Sequence, residues 1–269
     1  MHVPRVLKIL DIKQETPLVK TFSFIDFEIA KLTKPGNFVM VWIPRVDEKP
    51  MAISYADSNS GLVSITVEKV GRATIILHSM NIGNKIGLRG PYGNSFKILG
   101  DNLLIVGGGV GVASLSLLVN QALLAKKEVT AIIGAKTATE LLFVEQFRKF
   151  GAKVIITTND GSAGLKGFTT NAMTNLLSSE NFDHVYACGP ELMLKKVFDL
   201  SEQHKIPLQV SLSRIIKCGV GLCDACAING YHLCKDGPIF SSEKLRRMDS
   251  FGKYMRNFSG RKIAFGERA

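Results

Sequence analysis

This sequence of 269 residues lacks the features that mark several large classes of protein. Residues 1–5 lack the apolar run and the small-residue cleavage site of a secretory signal, so we expect a cytoplasmic protein. No paired carboxylates and no Ser/His/Asp set stand at an informative spacing. We therefore expect chemistry that needs no general acid or base from this chain.

Acidic residues are fewer than basic ones, and the net charge is +11. Such an excess suits nucleic acid, an acidic membrane surface or an acidic protein. Neither an aromatic-basic RNA signature nor zinc-finger spacing accompanies it, so we predict no nucleic-acid binding. Residues 243–268 hold eight basic and three acidic residues and form either a solvated arm or a docking element. Within them Phe251, Tyr254, Met255 and Phe258 have the spacing of one helix face.

A single stretch, residues 103–125, is apolar and uncharged enough to raise the question of a membrane span. Four glycines lie in its first half, and Asn120 and Gln121 lie near its end. A short strand, a glycine turn and a buried helix account for this composition better than a transmembrane helix. We therefore predict no membrane association.

Cysteine is also scarce, but four of the five cysteines lie between Cys218 and Cys234. Their spacing is C-x4-C-x2-C, with a fourth cysteine after seven intervening residues, and it is typical of the ligands of a plant-type 2Fe–2S cluster. A loop that points several thiolates at one small cluster needs tight turns, which Gly219 and Gly221 permit. The predicted metal ligands are Cys218, Cys223, Cys226 and Cys234.

Three other arrangements of these cysteines fit the sequence less well. A structural zinc usually takes two short Cys or His pairs, and only Cys223 and Cys226 form one. Disulfides need an oxidising compartment, which the missing signal does not indicate. A Rieske centre needs two histidines, whereas this segment has only His232, which we expect to be a solvated loop residue. The spacing therefore favours the 2Fe–2S cluster.

The first hundred residues consist of short β-rich runs separated by turn residues. The clearest runs are residues 21–25, 38–43 and 62–67. Many short strands at regular spacing predict a closed β-barrel. The only helix-like stretch is residues 74–80.

Two stretches in this region resemble the flavin-binding motifs of the ferredoxin-NADP reductase superfamily. Residues 49–52, Lys-Pro-Met-Ala, resemble its R-P-x-S motif, and residues 71–74, Gly-Arg-Ala-Thr, resemble its G-x-G-T pyrophosphate motif. The superfamily's Gly-Pro-x-Gly-x-F pattern is similar to residues 90–96. The resemblance implies bound FAD, with contacts from Lys49, Pro50, Met51, Ala52, Thr66, Val67, Glu68, Gly71, Ala73 and Thr74.

Three positions depart from these motifs. Lys49 stands where arginine is usual, so the point charge of an ammonium group replaces a planar guanidinium that can bind two oxygens at once. Ala52 stands where serine or threonine is usual, so a contact to flavin N5 must come from the backbone or another group. Ala73 replaces the second glycine of the pyrophosphate turn.

From residue 99 onwards, strands and helices alternate, which predicts a doubly wound parallel sheet. Residues 102–113 form a buried strand, a glycine turn and the start of a helix near Ala113. Further strands are predicted at residues 129–134, 154–158 and 184–188, with a helix at residues 140–150. The turn lets a phosphate approach the helix start closely. Its predicted cofactor-binding residues are Gly107, Gly108, Gly109 and Gly111.

The last of these strands runs into Cys188, Gly189, Pro190 and Glu191. Ligands of open α/β sheets bind at the carboxyl ends of the strands. In the reductase superfamily a similar C-G-P motif lies beside the nicotinamide, where hydride passes to the flavin. The resemblance implies Cys188 as the catalytic contact and the next three residues as NAD contacts, whereas the alternative is a buried cysteine that only packs.

Residues 159–162, Asn-Asp-Gly-Ser, resemble the superfamily's loop beside the dinucleotide. No Ser/Arg/Lys set for a 2′-phosphate stands out in the sequence. The expectation is therefore NADH rather than NADPH.

Taken in order, the motifs resemble the electron-transfer subunit of NAD-dependent dihydroorotate dehydrogenase B, and Cys234-Lys-Asp-Gly-Pro-Ile-Phe240 is the most specific piece. The resemblance implies an FAD-binding β-barrel (residues 1–98), an α/β NAD-binding domain (99–212), a small C-terminal iron–sulfur domain (213–240) and a basic tail (241–269). It also implies a catalytic partner that holds FMN, oxidises dihydroorotate in pyrimidine biosynthesis and assembles with this chain as a heterotetramer. Electrons would enter at the cluster, pass to FAD and leave on NAD+.

Ser213 and Ile216 depart from this family, which often has Glu and Met shortly before the first ligand. Sister families share the remaining motifs: the flavin subunits of sulfhydrogenases, of anaerobic sulfite reductases and of ferredoxin:NADP transhydrogenases. The last often lacks the cysteine that Cys218 matches. A stand-alone reductase of a diffusible ferredoxin would also carry every motif and would differ only in lacking a partner subunit. A scaffold protein without cofactors would differ in being colourless.

Overall fold

The structure is a computed structural model that describes residues 3–265. An antiparallel sheet of seven strands occupies the N-terminal part of the chain, in the order β1-β7-β4-β5-β6-β3-β2. Its strands are β1 (Arg5–Lys8), β2 (Asp11–Thr16), β3 (Val19–Ile25), β4 (Phe38–Ile43), β5 (Asp47–Asp57), β6 (Leu62–Glu68) and β7 (Lys85–Tyr92). Two short helices accompany them, α1 (Phe27–Leu32) and α2 (Arg72–His78).

This sheet curls around its own apolar core, in which Phe22, Phe24 and Ile65 are fully buried. The curled, barrel-type sheet predicted from the sequence is present, but its predicted closure is wrong, because β1 and β2 form the two edges of the sheet and do not pair with each other. The sequence patterns missed α1, whose first turn is capped because Ile29 N donates to Asp26 Oδ1 at 2.9 Å. The helix expected at residues 74–80 begins two residues earlier, as α2.

A second seven-stranded sheet follows, in the order β11-β10-β9-β8-β12-β13-β16, and only its last strand is antiparallel. Its strands are β8 (Asn102–Gly108), β9 (Glu128–Ala135), β10 (Lys153–Thr158), β11 (Leu165–Lys166), β12 (His184–Cys188), β13 (Leu208–Ser211) and, after the cysteines, β16 (Ile239–Ser241). The helices on its faces are α3 (Val112–Leu124), α4 (Val144–Phe150), α5 (Thr169–Leu177) and α6 (Glu191–Gln203). Two 3-10 turns are present, Gly109–Gly111 and Ala138–Glu140.

The parallel α/β arrangement predicted from the alternating pattern is thus confirmed. Residues 103–125 form β8, the glycine turn and α3, as the composition predicted. The helix expected at residues 140–150 is shorter, because a 3-10 turn precedes α4. Among residues 3–265 we find no helix that combines the length and the apolarity needed to span a bilayer.

Short elements form the rest of the chain. They are β14 (Ala227–Ile228), β15 (Tyr231–His232), α7 (Leu233–Asp236), α8 (Ser242–Arg246), β17 (Tyr254–Arg256) and β18 (Lys262–Ala264). The helix face predicted for the tail is wrong, because Phe251 lies in a turn and the residues after it form a β-hairpin. Arg268, part of the predicted basic tail, lies outside the described residues.

Asn94, at the end of the barrel, ties the cysteine segment to the first domain. Its Nδ2 donates to the carbonyl oxygens of Asp236 and Ile239 at 3.0 and 2.8 Å, and its Oδ1 accepts from Ile239 N at 2.9 Å. The same segment reaches the second sheet, because Ile239 begins strand β16 beside β13. The four cysteines are therefore held between the two larger domains.

Candidate functional site

The four predicted ligands converge in the loop between β13 and β16. The Sγ atoms of Cys226 and Cys234 lie 3.5 Å apart, and the thiol of Cys218 interacts with that of Cys223. The thiols thus form two pairs, as expected where each of two irons takes two thiolates. Among residues 3–265, no three His, Cys, Asp or Glu side chains gather as a site for one metal ion.

Backbone N–H groups of this loop point at the sulfurs. Gly221 N donates to Cys234 Sγ at 3.1 Å, and Leu222 N donates to Cys218 Sγ at 3.3 Å. These donations are possible because Gly219 and Gly221 both have φ of 78°, in the left-handed region that the sequence predicted. Such bonds stabilise negative charge on the sulfurs, so the loop fits a thiolate-bound cluster.

The two ends of the cysteine loop titrate differently. Burial opposes ionisation of Cys218, but the backbone N–H groups of Leu222 and Val220 outweigh it and hold the pKa of this thiol below its ordinary value. Burial, together with the neighbouring Cys226, raises the pKa of Cys234. The two thiols therefore have different surroundings: Cys218 is close to backbone N–H donors, and Cys234 is buried beside another cysteine.

The loop is exposed on one side only. Cys226 and Cys234 are buried, whereas Cys223 is exposed and Leu222 beside it has 82% of its surface accessible. His232 is half-buried, lies in β15 and contacts the carboxylate of Asp224, so the prediction of a solvated loop histidine is wrong. A cluster held here would approach the surface at Cys223.

A cleft of about 1630 Å³ lies between the barrel and the parallel sheet. Most of the predicted cofactor residues line it: Lys49, Pro50, Met51, Ala52, Thr66, Val67, Glu68, Gly71, Ala73, Thr74, Gly108, Gly109, Gly111, Cys188, Gly189 and Pro190. Gly107 and Glu191 do not line it. The cleft thus brings the predicted FAD and NAD contacts of two separate domains into one continuous space.

On the barrel side, the turn before α2 is held by a threonine hydroxyl. Thr74 Oγ1 accepts from Val70 N at 2.9 Å and from Gly71 N at 3.1 Å, and it donates to Gly71 O at 3.0 Å. Positive charge comes from Arg72 and from Lys49, whose Nζ lies 2.6 Å from Asp47 Oδ2. A fixed turn with cations beside it suits a pyrophosphate.

The barrel side of the cleft also carries a threonine hydroxyl near Ala52. Ala52 on β5 offers no hydroxyl, but Thr66 on the neighbouring β6 also lines the cleft. Its Oγ1 donates to Ser54 Oγ at 2.8 Å and lies 2.9 Å from Thr21 Oγ1. The polar atoms of this wall are therefore fixed in a network.

On the sheet side, the glycine turn packs directly against the C-G-P motif. A Cβ on Gly111 would lie 2.7 Å from the backbone of Cys188 and Gly189, so only glycine permits this approach. Burial raises the pKa of the Cys188 thiol, which therefore stays protonated at neutral pH. A neutral thiol at a strand end can pack against an aromatic ring without placing a charge there.

Two buried threonines in the cleft were not found from the sequence. Thr157 is 1% exposed and Thr169 is 4% exposed, and both line the cleft. Neither Oγ1 has a hydrogen-bond partner within the described part of the chain. Thr157 lies at the carboxyl end of β10, at the edge where ligands of open α/β sheets bind. Buried hydroxyls without partners are rare, and here they face a ligand space.

The Glu191 carboxylate, a predicted cofactor contact, pairs with a buried arginine. The Arg214 guanidinium makes a bidentate ion pair with this carboxylate. The distance from Arg214 Nη2 to Glu191 Oε1 is 2.7 Å. Glu191 Oε1 also accepts from Gly252 N at 2.9 Å. The pair joins the start of α6 to the segment before the cysteines and to the C-terminal region.

Taken together, a curled flavin-type barrel, a parallel nucleotide-type sheet and a shared cleft define a reductase of the ferredoxin-NADP reductase type. A solved structure described as an NADH-dependent reduced ferredoxin-NADP oxidoreductase superposes with a TM-score of 0.82 and 31% identity, covering 92% of this chain and 94% of that one. A more distant neighbour, a ferredoxin reductase in carbazole 1,9a-dioxygenase, has a TM-score of 0.68 at 16% identity and covers 77% of this chain and 68% of its own.

Family models match residues 213–246 as the iron–sulfur cluster binding domain of dihydroorotate dehydrogenase B and residues 105–199 as an oxidoreductase NAD-binding domain. A probable electron transfer subunit of dihydroorotate dehydrogenase B (NAD(+)) from Methanocaldococcus jannaschii is 43% identical, over 98% of this chain and 100% of its own. One of the same name from Methanothermobacter thermautotrophicus is 40% identical, over 98% of each chain. This chain belongs to that family.

Membership confirms the predicted resemblance, the fold class and the cofactors FAD, NAD and 2Fe–2S. It also favours this family over the sulfhydrogenase-like and sulfite-reductase-like alternatives, despite the departures at Ser213 and Ile216. The individual cofactor contacts and the domain boundaries stay predictions, supported by where the residues lie.

Proposed function

We propose that this chain carries electrons between NAD and an FMN-containing catalytic subunit that oxidises dihydroorotate, as an NAD-dependent oxidoreductase subunit. The observation that carries the proposal is that residues flanking the predicted cluster ligands also line the cofactor cleft. Ile216 and Pro238 line the cleft, and they lie two residues before Cys218 and four residues after Cys234. The thiols and the cofactor cleft are therefore adjacent, a condition for electron transfer between them.

Bound FAD supplies the conversion that this route needs, because it exchanges hydride with NAD and single electrons with a 2Fe–2S cluster. The protein supplies position and charge. Lys49, Arg72 and the turn before α2 fit the pyrophosphate, while Cys188 and the glycine turn line the cleft at the end of β12. No proton donor is needed from these residues, in keeping with the absence of an acid–base set.

Arg89 supports the position of the thiols relative to the barrel. Its guanidinium makes two bonds of 2.6 Å to the Glu48 carboxylate, and its Nη1 donates to Cys218 O at 2.9 Å. The backbone of Cys218, the first predicted ligand, is thus bonded to a charged pair on β5 and β7. This link would hold the distance between cluster and flavin constant.

The proposed partner would face the exposed side of the cysteine loop, around Cys223 and Leu222. Anaerobic purification with iron, sulfide and flavin analysis tests the cofactors, and identifying the co-eluting protein tests the partner. We expect two irons, two sulfides and one FAD per chain, and an FMN-containing subunit in a heterotetramer. Zinc in place of iron, or colourless protein, would contradict the assignment, and a coloured protein that elutes alone would favour a stand-alone reductase.

The buried threonines give a first prediction. Thr157→Val removes a hydroxyl that lacks a protein partner, so the protein without NADH should be as stable as the wild type or more so. If the hydroxyl binds the dinucleotide, the Kd for NADH should rise about threefold to tenfold. Calorimetric titration and thermal unfolding measure the two effects.

Thr33→Val is the matched control. The Thr33 hydroxyl donates to Ile29 O at 2.7 Å at the end of α1, and this residue does not line the cleft. Its loss should lower stability slightly and leave NADH affinity unchanged. A Thr157 variant that loses stability but keeps its affinity would show that the hydroxyl has only a structural role.

A further inference from the structure

The C-terminal hairpin, residues 254–264, has a fixed base. Phe251, just before it, is buried and packs edge-on against Phe198 of α6, with ring centroids 5.9 Å apart. Gly252 N donates to the buried carboxylate of Glu191, and Phe265 N donates to Lys253 O at 3.1 Å. The hairpin is therefore anchored to the helix that follows the C-G-P motif, and its position is not that of a free arm.

The tip of the hairpin is an ordered turn that reaches the opposite domain. Asn257 Oδ1 accepts from the backbone N–H groups of Ser259 and Arg261 at 3.1 and 3.0 Å. This turn places the Phe258 ring in the lining of the cleft, with Lys49 Nζ 5.5 Å from the ring centroid. The hairpin thus begins on the NAD side and ends beside a predicted FAD contact.

Phe258 is 70% exposed although the turn that carries it is closed by hydrogen bonds to Asn257. Covering a solvent-exposed aromatic ring with a flat apolar surface lowers the free energy, because it removes apolar area from water. Residues 250–265 also carry four basic side chains and no acidic one, which favours an anionic occupant. A dinucleotide with ring systems and a pyrophosphate has both properties.

We propose that this hairpin is part of the FAD site, and that Phe258 packs against bound FAD beside Lys49 and closes the outer side of the cleft. The inference deepens the proposed function and rests on FAD binding in this cleft. It assigns the basic tail to cofactor retention, in place of a solvated arm or a docking element for the partner. It also explains why an exposed ring lies next to the lysine of the flavin motif.

The test is FAD release from the purified, cluster-containing protein with Phe258→Ala. Release is followed by the fluorescence of free flavin after dilution, and the Kd by titration of flavin-depleted protein. We expect FAD to bind about fivefold to tenfold more weakly. Phe258→Tyr keeps the ring and should bind FAD as the wild type does, while iron and sulfide contents stay unchanged in both.

Phe27→Ala is the matched control, because Phe27 is 59% exposed and lies on α1, outside the cleft lining. It should leave FAD release unchanged. Release from Phe258→Ala at the wild-type rate would overturn the inference, and weaker co-elution of the partner in that case would assign the hairpin to docking. Wild-type protein that binds no FAD at all would instead overturn the proposed function itself.

Discussion

Replacing Cys223 with serine should abolish electron transfer to a one-electron acceptor while NADH still reduces the flavin. Cys223 is a predicted ligand on the exposed side of the loop and does not line the cleft. Its loss removes one of four thiolates from the cluster and changes nothing in the space where nicotinamide and flavin would meet. The variant should therefore keep the first half of the reaction, flavin reduction by NADH, and lose the second half, electron transfer through the cluster.

Stopped-flow bleaching of the flavin by NADH measures the first half, and reduction of an acceptor protein measures the second, with iron content determined alongside. Cys223→Ala excludes ligation by a serine oxygen and should give the same result. Leu222→Ala changes the neighbouring exposed side chain and should retain the cluster. If flavin reduction by NADH disappeared together with electron transfer, the proposed division of labour between cleft and cluster would be wrong.

The cysteine loop shows what sequence alone can determine. The ligand spacing and the two glycines are local properties, so both the cluster and the left-handed turns at Gly219 and Gly221 could be predicted. The strand ends that line the cleft were predictable for a similar reason, since parallel strands meet at one edge. Thr157 belongs to that edge, but a threonine at a strand end is too common to indicate a ligand by itself.

The tail shows where such prediction fails. Phe251, Tyr254, Met255 and Phe258 have helical spacing, yet they form a turn and a hairpin. Burial of Phe251 against Phe198 fixes the first of them, a contact that no local pattern shows. The turn residues Asn257, Ser259 and Gly260 were visible in the sequence and in retrospect indicated the hairpin. Tertiary packing outweighed the weak preference of a short segment.

The Arg214–Glu191 pair could not be found from the sequence either, because its members lie 23 positions apart and only the fold joins them. Arg214 and Glu191 have 4% and 6% of their side-chain surfaces exposed. Arg214 Nη1 also donates to Ser213 O at 2.8 Å, and its guanidinium lies 5.7 Å from the Phe265 ring centroid. The pair therefore connects the C-G-P helix, the entry to the cysteine segment and the base of the hairpin.

Arg214→Ala should accordingly be among the most destabilising single substitutions in this chain. It leaves the Glu191 carboxylate buried without its partner, at a cost of about 3–5 kcal/mol. The midpoint of thermal unfolding should fall by roughly 6–20 °C, and FAD should be released at correspondingly lower temperature. Circular dichroism and flavin fluorescence, recorded on the same cofactor-loaded sample, measure both.

Arg148→Ala provides the contrast, because Arg148 pairs with Glu145 at 2.6 Å on the surface of α4, where both side chains are exposed. An exposed pair contributes at most about 1 kcal/mol, so the midpoint should hardly move. Removing both buried charges, with Glu191→Leu and Arg214→Met together, should recover much of the stability lost in Arg214→Ala. Equal effects of Arg214→Ala and Arg148→Ala would show that the buried pair does not hold these three segments together.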